Sequence, residues 1–245
     1  MIALVSAKGS PGGTVSALAF TLAWPGRCLL AECDPAGGDV LAGYLRGALD
    51  AQRGLAQLAV AELRGRLADE FDRQLVDLEA PHRQRLLLPG LRDPAQSATV
   101  APVWTAIADY LRQLDGGGTV LADCGRLTSA QFGWPVLAAA DRVLLVVRGT
   151  LPSVSHAVPA IQLLHRELAG ASAKLALLVV EVGPYPAGEV AERLHLPLAA
   201  QLPADPRTAR ALCQGGPVHR RRPLIRAAAA ARAQLTRQPE VAGAV

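Results

Sequence analysis

Lysine is nearly missing from this chain. Of the 25 basic residues among 245, only two are lysines, Lys8 and Lys174; the other 23 are arginines. An arginine bias this strong reads as a GC-rich coding background, so most arginines need no site-specific explanation. The place of a lysine is correspondingly informative. Aromatics are also scarce, at 4%. The four cysteines (Cys28, Cys33, Cys124, Cys213) have no CxxC spacing and are too few for a disulfide framework, which points to a reduced, cytoplasmic protein. No apolar run reaches the ~18 residues that span a bilayer. The opening Met-Ile-Ala-Leu-Val-Ser has no basic segment and does not read as a signal peptide. A formal charge of +4 is too small to imply a nucleic-acid partner by itself.

What is present is apolar. At 51% hydrophobic residues the chain can bury a full core, which excludes global disorder. Short apolar runs recur at Ile2 to Val5, Cys28 to Ala31, Arg85 to Leu88, Gly118 to Ala122, Val143 to Val147, Leu175 to Val180 and Pro197 to Leu202. Helix-like stretches separate them, including 15–23, 39–80 and 98–114. This alternation predicts βαβ units and a parallel sheet buried on both faces, a doubly wound α/β fold. Several runs end in Gly, Asp, Pro or polar residues, and strand carboxyl ends are where open α/β sheets place ligands. No long Gly/Ser linker or internal repeat interrupts the pattern, so a single domain over 1–237 is expected, with a disordered tail at 238–245.

The first strand runs into Ala7-Lys8-Gly9-Ser10-Pro11-Gly12-Gly13-Thr14 and then a helix. A phosphate-binding loop needs glycines so that backbone N–H groups can point inward, and a helix N-terminus whose dipole favours anions. Against the pattern GxxxxGK[ST] the segment keeps Gly12, Thr14 and the strand context, but has Ala7 for the first glycine and Gly13 for the lysine. On that pattern alone an ordinary strand–helix turn is an equal reading. Lys8 tips the balance. The loop resembles the deviant Walker A motif of the ParA/MinD family, KGGxGK[ST], whose early lysine stands where Lys8 does. One of the two lysines of an arginine-using chain holds a compact charge where phosphate would want it.

Four further segments carry the resemblance along most of the chain. Leu29 to Asp39, with Glu32-Cys33-Asp34-Pro35, resembles the strand ending in D-x-D-P-x-G, with Glu32 in place of the first Asp. Val120-Leu121-Ala122-Asp123 resembles Walker B. Asp141 to Val147 with Ser153-Val154 resembles the next strand and helix start. Gln201-Leu202-Pro203-Ala204-Asp205, then Ala211 and Gly215-Gly216-Pro217, resembles the late segment that approaches the nucleotide base.

The resemblance implies a P-loop ATPase fold, ATP or ADP with Mg²⁺ as ligands, and a homodimer acting as a positioning or partitioning switch with an unidentified protein partner. It implies nucleotide contacts from Gly9, Ser10, Pro11, Gly12, Gly13, Thr14, Val15, Pro203 and Asp205. Mg²⁺ would be held by Thr14 and, through water, by Asp123. Asp34 would orient the attacking water, and Lys8 would reach the partner's nucleotide. Three departures, Gly13, Glu32 and Glu181, point the other way. Gly13 removes the lysine that bridges the β- and γ-phosphates, a loss of about 3 kcal/mol on the scale of single electrostatic donors. Glu181 stands where an adenine-reading Asn is common. They imply weak or absent hydrolysis and keep open the alternative of a pseudo-ATPase scaffold or a regulatory adaptor, for example of a secretion or pilus system.

Other residues have plainer readings. Cys33 and Cys124 come close if their strands are neighbours, as a redox pair or as two small apolar side chains. The five histidines show no ligand spacing. Arg220-Arg221-Arg222 is the densest charge run; it reads as a solvated helix end or as a weak, salt-dependent DNA contact. Leu224, Ile225 and Leu235 are the only large apolar residues of the terminal helix, too thin a face for membrane insertion.

Overall fold

The computed structural model describes residues 1–8, 12–47, 53–127 and 131–236. The strands are β1 (Ile2–Ser6), β2 (Cys28–Glu32), β3 (Val76–Asp77), β4 (Arg85–Leu88), β5 (Thr119–Arg126), β6 (Arg142–Arg148), β7 (Lys174–Glu181) and β8 (Leu198–Pro203). The helices are α1 (Gly13–Ala23), α2 (Leu55–Glu62), α3 (Leu67–Gln74), α4 (Ser97–Val100), α5 (Trp104–Gln113), α6 (Trp134–Ala139), α7 (Leu151–Glu167), α8 (Ala187–Leu194), α9 (Pro206–Gln214) and α10 (Pro223–Thr236).

The strands form one sheet in the order β3-β4-β2-β5-β1-β6-β7-β8. Every pairing is parallel except β3 with β4. The apolar runs are continuous because both faces are covered, and alternate residues go to different cores. Ile2, Leu4, Leu30, Leu121, Leu144 and Leu178 pack beneath α1, α9 and α10. Ala3, Val5, Leu29, Ala31, Val143 and Val179 pack on the opposite face with α2, α5 and α7. This is the two-residue period of a strand expressed on both sides.

α1 is apolar almost all round because it is wedged between the sheet, α9 and α10; Ser16 to Leu22 are buried. Thr21 is accommodated by donating its hydroxyl to the Ala17 carbonyl at 2.8 Å. The carboxyl end of α1 rests on a buried arginine. The Arg85 guanidinium, at the start of β4, donates to the carbonyls of Trp24, Gly26 and Gln84. On α10, Leu224, Ile225, Ala228, Ala231 and Leu235 recur at helical spacing and are buried against α1 and β8. The three large apolar residues of that helix are therefore core. No helix of the described residues is long and apolar enough to cross a membrane.

The expected helices over 39–80 are only partly realised. Residues 39–47 form turns, α2 and α3 are short, and the chain then enters β3. The amides of Asp39 and Val40 are taken by the Glu32 carboxylate instead of by a helical ladder. Residues 238–245, read as a tail, lie outside the described residues.

Candidate functional site

β1 lies between β5 and β6, and the chain crosses from one side of it to the other, so the crevice at its carboxyl end is the switch point of the sheet. α1 starts there. Its N-cap is Gly12, at φ 104°, a left-handed conformation that favours glycine, and the Ser16 amide donates to the Gly12 carbonyl at 2.8 Å. The first turn holds no acidic side chain, so nothing anionic on the helix competes for its free amides. Lys8 is exposed. Gly9, Ser10 and Pro11 lie outside the described residues.

Asp123 reaches the same place from β5. It stands in register with Leu4 of β1 and with Glu32 of β2, and is 4% exposed. The Thr14 hydroxyl bonds its carboxylate. The Gly125 amide donates to Oδ1 at 3.2 Å. Burial pushes Asp123 up to about 6; the Thr14 and Gly125 bonds pull it down, and the charges of Asp34 and Asp39 push it up further. A hydroxyl and a carboxylate oxygen side by side at a helix N-terminus form a donor set suited to Mg²⁺, which takes few protein ligands and keeps waters and phosphate oxygens. Among the described residues no group of three or more His, Cys, Asp or Glu side chains is arranged to hold a metal without such help. Gly13 faces this carboxylate: a Cβ there would lie 3.8 Å from Asp123 Oδ1.

Asp34 follows β2. Its Oδ1 accepts the Ala36 amide at 2.8 Å, and its carbonyl accepts the Gly37 amide at 3.0 Å. The carboxylate lies against the backbone of Gly125, at φ 65°, where a Cβ would fall 1.9 Å from Asp34 Oδ2. Burial raises its pKa, while Ala36 and the positive charge of Arg126 oppose the rise. Thr14, Asp34 and Asp123, distant in sequence, are thus gathered in one crevice with Gly12 and Gly13. Val15 adjoins them and lines a 370 Å³ cavity with Thr14, Leu18, Asp39, Leu212 and Cys213.

Two predicted residues stand apart from this group. Pro203 ends β8, in register with Glu181 of β7. Asp205 caps α9. It accepts the Thr208 amide at 3.2 Å and hydroxyl at 2.7 Å, and the Arg222 guanidinium at 2.6 Å. Burial pushes Asp205 up, but Thr208 and Arg222 outweigh it and hold the carboxyl below its usual value. Arg222 also donates to Thr208 Oγ1 at 3.0 Å. The basic cluster is therefore divided: Arg222 braces α9, while Arg220 and Arg221 are exposed. The Asp205 carboxylate is likewise engaged in holding α9 to Arg222.

Cys33 directly follows β2 and Cys124 lies on the neighbouring β5, and both are free, buried thiols. Burial and the surrounding carboxylates push both thiols up, so the small-apolar reading is the one their environment favours.

Glu32, which stands in place of the first Asp of the motif, is buried among backbone amides. Glu32 is 2% exposed. Its Oε1 accepts the amides of Asp39 at 2.8 Å and Val40 at 2.9 Å, and its Oε2 accepts that of Gly90 at 3.1 Å. Burial raises it to about 7 against the pull of these amides, and Asp123 adds to the rise. Its one sequence signal was an ionisable residue closing an apolar strand.

No protein-family model matches the sequence, and no curated protein matches it. Solved structures do. A ParA family ATPase from Chlorobium tepidum is 17% identical, with 96% of each chain covered and a TM-score of 0.73. The cell division protein MinD of Aquifex aeolicus is 18% identical over 97% of this chain and 98% of that one, at a TM-score of 0.70. The septum site-determining protein MinD of Pyrococcus horikoshii, solved as a complex with Mg-ADP, is 15% identical with 96% of each chain covered, at a TM-score of 0.73. The chain has the fold of the ParA/MinD P-loop ATPases, an eight-stranded, mostly parallel sheet flanked by helices.

Proposed function

We propose that the chain is a nucleotide-binding switch of the ParA/MinD kind, dimeric, with weak or absent hydrolysis, working in the cytoplasm. The observation that carries this reading is the convergence of Thr14, Asp123 and Asp34 on the free N-terminus of α1 at the sheet's switch point. ATP phosphates would be held by the segment from Gly9 to Thr14, with Val15 behind them and Pro203 and the backbone of Asp205 toward the base. Thr14 would hold Mg²⁺ directly and Asp123 through water; the ion would neutralise phosphate charge. Asp34 would accept a hydrogen bond from the attacking water. Exposed Lys8 would reach across a dimer to the partner's phosphates. One structural neighbour is a MinD solved with Mg-ADP and another a MinC:MinD complex, which supports both a nucleotide and a protein partner here.

Titration calorimetry with ATP and ADP, with and without Mg²⁺, tests this. Binding that needs Mg²⁺ is expected; no binding at millimolar nucleotide overturns the reading. A second reading, a pseudo-ATPase scaffold or regulatory adaptor, is favoured by Gly13, which faces the Asp123 carboxylate without a side chain that could carry a cation. Nucleotide binding without phosphate release, unchanged in Asp34→Ala, decides for the scaffold. Retention on DNA-cellulose, abolished by replacing Arg220 and Arg221, would identify a nucleic-acid surface as the second partner.

A further inference from the structure

We infer that Glu32 is the positioning residue of the loop that carries Asp34. The inference deepens the proposed function and rests on it for the role of Asp34.

A carboxylate at 2% exposure needs partners for its charge. Glu32 finds them in backbone amides of two separate segments. Asp39 and Val40, seven and eight residues on, both donate to Oε1. Gly90, fifty-eight residues on, donates to Oε2. Bonds from backbone amides to a buried carboxyl group are costly to leave unmade, and here each fixes a main-chain position instead of a side chain.

The three segments touch closely enough to restrict the sequence. A Cβ at Gly38 would lie 2.6 Å from Glu32 Oε2 and 2.8 Å from the Gly90 nitrogen. A Cβ at Gly90 would lie 2.9 Å from both Glu32 Cβ and the Gly38 Cα. The Gly38 amide donates to the Leu91 carbonyl at 2.7 Å, closing the same contact from the other side.

Asp34 sits inside the ring so formed. At its start the Cys33 amide donates to the Asp123 carbonyl at 2.7 Å. At its end Glu32 holds Asp39 and Val40. The segment between has few remaining freedoms, and it presses the Asp34 carboxylate against Gly125. Glu32 itself is turned into the fold, with Asp123 in register beside it, and it reaches Asp34 through this loop. The extra methylene over aspartate lets one carboxylate serve β2's own continuation and the end of β4 together. Beyond Val40 the segment runs on to Arg46, whose Nε and Nη2 donate to the carbonyls of Gln214 at 3.2 Å and Gly215 at 2.6 Å. That far anchor provides a control, because it grips the same segment without touching Glu32.

The test is amide exchange by mass spectrometry on nucleotide-free wild-type protein, Glu32→Gln, Glu32→Asp and Arg46→Ala, followed by ATP affinity and phosphate release. In Glu32→Gln exchange at Gly90 should rise by about tenfold or more, because the amide nitrogen that replaces Oε2 cannot accept its N–H, and exchange at Asp39 and Val40, whose shared acceptor becomes a neutral carbonyl, should rise by about threefold. Phosphate release should fall about tenfold while ATP affinity changes less than about threefold, since the loop and not the phosphate site is loosened. Glu32→Asp should recover protection at Asp39 and Val40 but not at Gly90. Arg46→Ala should leave all three amides protected. Should Glu32→Gln not fold, Gly38→Ala, which keeps the carboxylate but pushes it from its seat, is expected to give the same exchange pattern. Wild-type exchange at the three amides in Glu32→Gln, or equal deprotection in Arg46→Ala, overturns the inference, as does an equal loss of affinity and turnover. Absence of phosphate release from the wild-type protein counts instead against hydrolysis; the exchange pattern then decides on Glu32 alone.

Discussion

Gly13→Lys would put a cation at the position where the phosphate loop has none. Gly13 opens α1 and is not among the glycines with positive φ, so a side chain brings no backbone strain there. Its Cβ would lie 3.8 Å from Asp123 Oδ1, an ordinary contact that leaves room for the chain to extend. An ammonium about 5 Å from that carboxylate gains about 3 kcal/mol at an effective dielectric of about 20. That is enough to return Asp123, pushed up to about 6 by burial, to the ordinary carboxylate range. The effect on helix stability is small: replacing glycine gains about 0.5–1 kcal/mol, and a cation at a helix N-terminus costs about the same. With Mg-ATP bound, the ammonium would face the phosphates, and about 3 kcal/mol of added electrostatic stabilisation corresponds to a turnover about a hundredfold higher. Phosphate release at saturating Mg-ATP, calorimetric affinity and a thermal melt measure the three consequences. A folded Gly13→Lys protein with unchanged turnover and unchanged affinity would refute the reasoning, because Gly13 would then not be the limiting defect.

Four other outcomes follow from the geometry. Burial raises Glu32 from 4.5 to about 7, so the folded chain holds this proton more tightly than the unfolded one; stability should fall by about 3 kcal/mol as pH rises from about 5 to 8, and Glu32→Gln should flatten that slope in urea titrations. Gly125→Ala forces an L residue into left-handed backbone and drives its Cβ onto Asp34; phosphate release should be lost with about 1–2 kcal/mol of stability, and wild-type turnover would contradict the placement of Asp34. Arg222→Ala removes a partner, itself 35% exposed, from the nearly buried Asp205 carboxylate; about 1–2 kcal/mol of stability should go, with DNA-cellulose retention depending instead on Arg220 and Arg221. Arg85→Met leaves the carbonyls at the end of α1 without their donor; a loss of about 2 kcal/mol should lower the melting temperature by about 6 °C, and an unchanged melt would contradict the bracing role.

Much of this protein is written locally. The apolar runs of β1, β2, β5, β6 and β7 are legible because burial on both faces leaves no polar interruption. Gly12, Gly13 and Thr14 are legible because a glycine-rich stretch between an apolar run and a helical one resembles a phosphate loop. Asp34 and Asp123 are legible as strand-end carboxylates in order along the chain. Lys8 stands out against the arginine background, and no tertiary information is needed to see it.

Other features depend on partners that sequence does not bring together. Glu32 looked like a worn motif position, yet its partners lie seven, eight and fifty-eight residues away and meet only when β2 pairs with β4. Asp205 and Arg222 lie 17 residues apart, and only the fold brings them together at the start of α9. Residues 39–47 have helical composition, but a buried carboxylate at one end and the α9 carbonyls at the other hold the backbone in turns. Sequence alone determined which residues could serve as strand and loop, because those preferences reside in single side chains and short spacings. The tertiary structure decided which charges face the site and which are consumed in holding it, because a buried charge takes whatever partner the packing places within hydrogen-bond reach.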